Sequence, residues 1–188
     1  FHLSDTHVSG SKFRADALAA AIDAINAGAF DLVIHSGDVT DKARPKEFEK
    51  ARDLLGRIQR PMIMVPGNHD TRSGGIRLFE DCFGSPNGVE VVGNAAVLYV
   101  DSSGGDSNDG RVGRVKFNMR REALSRHSDR QHKILVMHHH VLPVPMSGRE
   151  RNVLANAGDM LDLILRAGVD LVVSGHRTTP TSIRWRTR

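Results

Sequence analysis

The chain has 188 residues, 39% of them hydrophobic and 26% charged. That is ordinary globular composition, with length enough to bury about 70% of the unfolded surface and no apolar run near the ~18 residues a membrane helix needs. A single cysteine, Cys82, excludes an internal disulfide and points to a reducing, cytoplasmic setting. The net charge of +4 is small, and part of it sits in Arg177, Arg184, Arg186 and Arg188. This reads as solvated surface rather than a nucleic-acid footprint.

Phe1 is not a methionine, and the chain already reads as a strand there. The expectation is a single domain over residues 1–188, incomplete at both ends. The opening "FHLSDTH" delivers Asp5 and His7, two apart, a spacing that in extended backbone points both side chains the same way. Leu18, Ile22 and Ile25 predict a helix that Gly28 ends. The apolar run Leu32–Ile34 leads into "HSGDVTD", which delivers Asp38 and Asp41. Pro45 suits the first turn of a second helix with a stripe of Phe48, Ala51, Leu55 and Ile58. Met62–Val65 leads into "PGNHD", which delivers Asn68, His69 and Asp70.

Val97–Val100 is followed by the loop-like "SSGGDSNDG", and Lys116–His127 is a weaker helical pattern. Ile134–Met137 leads into His138, His139 and His140, and a second long connection runs from Val144 to Gly158. Leu161, Ile164 and Leu165 predict a helix closed by Gly168. Leu171–Val173 then delivers His176. Short continuous apolar runs are strands buried on both faces, and their alternation with helices predicts an α/β fold with a parallel or mixed sheet.

In such folds ligands bind beyond the carboxyl ends of the strands, where these polar clusters fall. Each cluster alone has an ordinary explanation. Asp-Thr and Asn/Asp pairs are turn residues, three histidines suit a surface run, and His35 inside a strand reads as a satisfied core residue. His127 and His132 are read as surface residues. Gly37, Gly67 and Gly175 precede Asp38, Asn68 and His176 and permit sharp turns with close backbone approach. The combined donor set is carboxylate, imidazole and one carboxamide without thiolate. It suits Mn, Fe, Co, Ni or Zn rather than an all-oxygen site.

In their order along the chain, Asp5-Thr6-His7, Gly37-Asp38 with Asp41, Gly67-Asn68-His69-Asp70, His138 and Gly175-His176 resemble the calcineurin-like metallophosphoesterase superfamily. Within it, "HLSDTH", "GDVTD", "VPGNHD" and "VMHHHVLPVP" look most like class III cyclic-nucleotide phosphodiesterases. The resemblance implies a layered α/β/β/α sandwich with mixed sheets, and two divalent transition-metal ions. Asp5, His7 and Asp38 would hold the first ion. Asp38, Asn68, His138 and His176 would hold the second, with Asp38 as the bridge. His69 would act as general acid toward the leaving oxygen, oriented by Asp70.

His139, His140 and Arg149 are read first as loop or surface residues. The family continues Gly-His-X-His where this chain has Thr178, so a weaker first metal and reduced activity are expected. The implied substrate is a small phosphoester, a cyclic nucleotide or a related phosphodiester, without a membrane partner. The alternatives are a metal-impaired scaffold of the same fold, and a nuclease.

Overall fold

The computed structural model describes residues 1–113, 130–144 and 153–176, and the backbone of 181–184. Two sheets lie face to face. In the first, β1 (His2–Leu3), β2 (Val33–His35) and β3 (Met62–Met64) are parallel and adjacent in chain order. They are joined by α1 (Ala15–Ala27) and α2 (Pro45–Leu55). A short 3-10 turn, Arg72–Gly74, and α3 (Ile76–Phe83) lead to the second sheet. That sheet has the order β4 (Gly88–Val92), β5 (Ala95–Tyr99), β6 (His132–Val136), β7 (Leu171–Ser174), β8 (Thr181–Arg184). Its outer pairs are antiparallel and its inner pairs parallel, with α4 (Ala157–Ala167) between β6 and β7.

The two-faced burial expected of the apolar runs is what stacks the layers. On β6, Leu135 packs toward α4 with Met160, Leu163 and Ile164, while Val136 faces the other sheet. The same alternation puts Ile63 and Val65 against Val97, Val136 and Val173 between the sheets, and turns Met64 toward Phe48, Leu55 and Phe79 on the outer helices. The order is helix, sheet, sheet, helix. Among the described residues no helix is long and apolar enough to cross a membrane.

Several sequence expectations fall into place. Leu18, Ile22 and Ile25 are buried on α1, which stops at Gly28. Pro45 opens α2, where the Glu47 carboxylate accepts from the Lys42 and Arg44 backbone N–H groups at 2.8 and 3.4 Å. Gly168 ends α4 at φ 65°, a left-handed position that glycine takes without Cβ strain. The stripe on α4 is corrected. Ile164 is buried and Leu161 packs against the core as expected, but Leu165 is 55% exposed, and Met160 and Leu163 complete the buried face.

Neither α3 nor β4 was anticipated. The first has only eight residues, and the second is an edge strand with Glu90 and Val91 exposed. The pattern at Lys116–His127, together with Arg149 and Thr178, lies outside the described residues. Replacing Leu135 with Ala, at the centre of the α4 layer, is expected to cost about 2–5 kcal/mol of unfolding free energy in urea titration.

Candidate metal centre

β1 ends at Leu3, and the chain then runs beside the segment that follows β2. Asp5 N–H donates to Gly37 O at 2.9 Å, His7 N–H to Asp38 O at 3.0 Å and Val8 N–H to Val39 O at 2.8 Å. Asp5 and His7 do converge, but not through extended backbone. Their φ angles are 53° and 45°, so two left-handed residues aim the side chains. Asp38 at 54° and His176 at 68° share this conformation. Non-glycine residues held there are strained and cluster at functional sites.

The loops approach each other too closely for side chains at two glycines. A Cβ at Gly67 would collide with Asp38 Oδ1, and one at Gly175 with Ser4 Oγ and Asp5 Oδ2.

Asp38 lies at the middle of the cluster. Its Oδ1 accepts from the His69 backbone N–H at 2.9 Å. Its Oδ2 is 3.6 Å from His7 Nε2 and 3.4 Å from His138 Nε2. His7 Nε2 is in turn 4.0 Å from Asp5 Oδ1. His138 Nε2 is 3.2 Å from Asn68 Oδ1 and 3.1 Å from His176 Nδ1. Ligand atoms of Asp5, Asp38 and His138 lie within 4.8 Å of one another, as do those of His138, His139 and His176, and of His7, Asp41 and His69. All six residues expected to bind metal are therefore in one place.

The donor set fits a cation for a reason visible at His138. Its Nδ1 is 2.8 Å from Ser36 O, which can only accept, so Nδ1 carries a proton. Nε2 of the neutral ring then presents a lone pair to a carboxylate and to a carboxamide oxygen. A metal ion, a proton on Nε2 or an N–H donated by His176 Nδ1 at 3.1 Å relieves that arrangement. Burial would lower the His138 pKa, but the Asp38 charge and hydrogen bond, with Asp5, push it up to about 9. Burial also works against the charge of Asp38, yet His138 holds that carboxyl well below its ordinary range. Asp5 goes the other way, up to about 6, through burial with a contribution from Asp38.

Around this core the partners differ from expectation. Asp70 does not orient His69. Its buried carboxylate accepts from Val39 N (3.0 Å), Thr40 N (2.7 Å), Thr40 Oγ1 (2.8 Å) and Gly67 N (2.9 Å), clamping the loop after β2 to the loop after β3. Consecutive residues in a tight turn point apart, which separates Asp70 from the ring of His69. His69 Nδ1 instead donates to Asp41 O at 2.7 Å, and Arg72 Nη2 approaches its Nε2 at 3.3 Å.

His139 and His140 are not surface residues, being 0% and 2% exposed. His139 Nδ1 lies 3.0 Å from Ser102 Oγ, and burial holds its pKa well below 6.5. His35 is a satisfied core residue as read. Its Nδ1 accepts from Gly37 N at 3.3 Å, its Nε2 meets Thr6 Oγ1 at 3.2 Å, and burial lowers its pKa to about 3. His132 is exposed. Sequence reasoning missed Arg72 and Asn108, whose contacts reach the cluster from a 3-10 turn and from a glycine-rich loop. No spacing signal links Asn108 to Asn68.

The family match and the relatives below make the chain a phosphoric ester hydrolase. The chain belongs to the calcineurin-like phosphoesterase family, whose pattern it matches over residues 1–179. Members of that family use divalent metal ions. Over 198 residues the chain is 25% identical to the 3',5'-cyclic adenosine monophosphate phosphodiesterase CpdA of Escherichia coli K12, covering 99% of this chain and 71% of that protein. It is 34% identical over 85 residues to the glycerophosphodiester phosphodiesterase GpdQ of Enterobacter lignolyticus, covering 38% of this chain and 29% of that one.

Among solved structures, a dimetal phosphatase from Danio rerio superposes with a TM-score of 0.70 at 12% identity, over 95% of this chain and 88% of that one. The purple acid phosphatase PPD1 of yellow lupin also gives 0.70, at 14% identity, over 93% of this chain and 37% of that one. At such identities the likeness is one of fold.

Two outcomes follow from the site. A raised imidazole pKa adds stability that is complete below the unfolded value and lost as pH rises through the folded one. Metal-free protein should therefore lose thermal stability between about pH 6.5 and 9 as His138 gives up its proton, and saturating Mn²⁺ should flatten that slope. A flat metal-free profile would contradict a charged His138. Asp70→Asn should cost on the order of 2–4 kcal/mol with or without metal, since it sets an NH₂ group against buried donors. Denaturant titration in chelator and in Mn²⁺ would check this.

Proposed function

We propose that the chain is a phosphodiesterase working through two divalent ions, with cyclic nucleotides or closely related phosphodiesters as substrates. The observation that carries the reading is the position of Asp38 Oδ2 between His7 Nε2 and His138 Nε2, at 3.6 and 3.4 Å. One carboxylate oxygen that serves imidazoles from both ligand groups is what a bridge between two ions requires. The substrate class is supported by the 25% identity to a cyclic-AMP phosphodiesterase over nearly the full chain.

In this reading Asp5, His7 and Asp38 hold one ion, and Asp38, Asn68, His138 and His176 hold the other. Bound there, the pair would supply Lewis acidity, activating water and neutralising phosphate charge during in-line attack. The protein residues do the rest. Ser36 O fixes the His138 ring so that Nε2 faces inward. The Asp70 clamp holds Asp38 and Asn68 at fixed separation.

His69 keeps its proton on Nδ1 against Asp41 O, leaving Nε2 on the side where Arg72 approaches. When an anionic phosphate enters, it is the stronger partner for the Arg72 guanidinium. That frees the Nε2 lone pair to take a proton from water, and the imidazolium so formed passes it to the leaving oxygen.

His69→Ala should lower turnover of cyclic AMP, whose leaving group is an alkoxide, about 10²-fold or more with Mn²⁺. Turnover of bis(p-nitrophenyl) phosphate, whose phenolate leaves unprotonated, should fall far less, and bound metal by elemental analysis should stay as in the parent. Asn68→Ala should lose both activity and one ion. Unchanged cyclic AMP turnover in His69→Ala would remove the histidine from the acid role. Parent protein inactive with every divalent ion tried would instead favour a scaffold of the same fold.

A further inference from the structure

A carboxamide can bind a metal only through its oxygen, and its two ends are nearly the same shape. Something must therefore decide which end of Asn68 faces His138 and Asp38. Asn68 Nδ2 is 3.0 Å from Asn108 Oδ1, and Arg72 Nη2 is 3.2 Å from that same oxygen. A guanidinium only donates. Arg72 thus requires the oxygen end of Asn108 to face it, and that oxygen in turn requires the amide end of Asn68. The Asn68 oxygen is left 3.2 Å from His138 Nε2, inside the metal cluster.

The second hydrogen on Arg72 Nη2 meets His69 Nε2 at 3.3 Å, so one guanidinium nitrogen orders two site residues at once. The loop that carries Asn108 is itself tied down beside them. Thr71 Oγ1 donates to Gly105 O at 3.2 Å, and Ser73 N–H donates to Asp106 Oδ1 at 2.7 Å.

We infer that Asn108 and Arg72 are positioning residues that set the polarity of the Asn68 carboxamide and so its capacity to bind the second metal ion. The inference rests on the two-ion reading above. It assigns the glycine-rich loop a defined task, which is to present one acceptor oxygen to a metal ligand from the far side. Removing that acceptor leaves the Asn68 amide end without its partner and lets the carboxamide turn that donor toward the cation. Outer-shell partners of this kind are generally worth 10–100-fold in metal affinity.

The test is Mn²⁺ titration calorimetry on the full chain, with thermal melting as a control for folding. Asn108→Leu should weaken the second Mn²⁺ by about tenfold or more. Asn108→Asp keeps an acceptor and should stay within about threefold, and Arg72→Met should follow Asn108→Leu. The decisive arm is Asn68→Asp, in which both ends of the ligand are oxygen and no polarity remains to be set. In that background Asn108→Leu should cost nothing. Folded Asn108→Leu with both affinities within about twofold of the parent would overturn the inference, as would an equal penalty in the Asn68→Asp background. Parent protein that takes up fewer than two Mn²⁺ would instead sink the two-ion reading, and this inference with it.

Discussion

Lone pairs that face one another in a buried space need a hydrogen-bond donor or a positive centre between them. The meeting of His138 Nε2, Asp38 Oδ2 and Asn68 Oδ1 is such a place. The rest of the structure serves that meeting. The Ser36 carbonyl prevents the His138 ring from turning its protonated side inward. Asp70 draws two loops together from behind. Glycines at 67 and 175 remove the atoms that would keep the loops apart. Against the effect of burial, the charge of Asp38 raises the pKa of His138.

The sandwich explains how residues so distant in sequence reach one point. The inner strands β2, β5 and β7 are largely buried on both faces, so their side chains are committed to packing, and chemistry is left to the segments that leave the carboxyl ends. Parallel β1, β2 and β3 send Asp5, Asp38 and Asn68 out at the same edge. The parallel pair β6 and β7 does the same for His138 and His176 in the second sheet. Stacking the two sheets through Val65, Val136 and Val173 brings those edges together.

The residues of the cluster were legible in the sequence because each follows an apolar run and each is a metal-capable type. The α/β class was legible in the alternation of apolar strands with helices, while the two-sheet layering came from the family resemblance. What remained hidden were matters of direction. Asp70 follows His69 in the chain, yet its carboxylate points back toward Thr40. Asp5 and His7 converge through left-handed backbone, which no residue spacing encodes. On α4 the core takes Met160, Leu163 and Ile164, and Leu165 falls on the exposed side. Asn108 sits in a loop whose composition speaks only of flexibility, while its side chain grips a ligand from elsewhere in the chain.

The four left-handed residues at the cluster have a bearing on biogenesis. Asp5 and His176 come from opposite ends of the chain, and each holds a backbone geometry that an isolated peptide avoids. Neither is expected to settle until both sheets have closed around it. A growing polypeptide leaving the ribosome would carry its amino-terminal ligands long before the last one emerged. Loading with cations would then be a finishing step of maturation, applied to an already folded body rather than a seed around which folding begins.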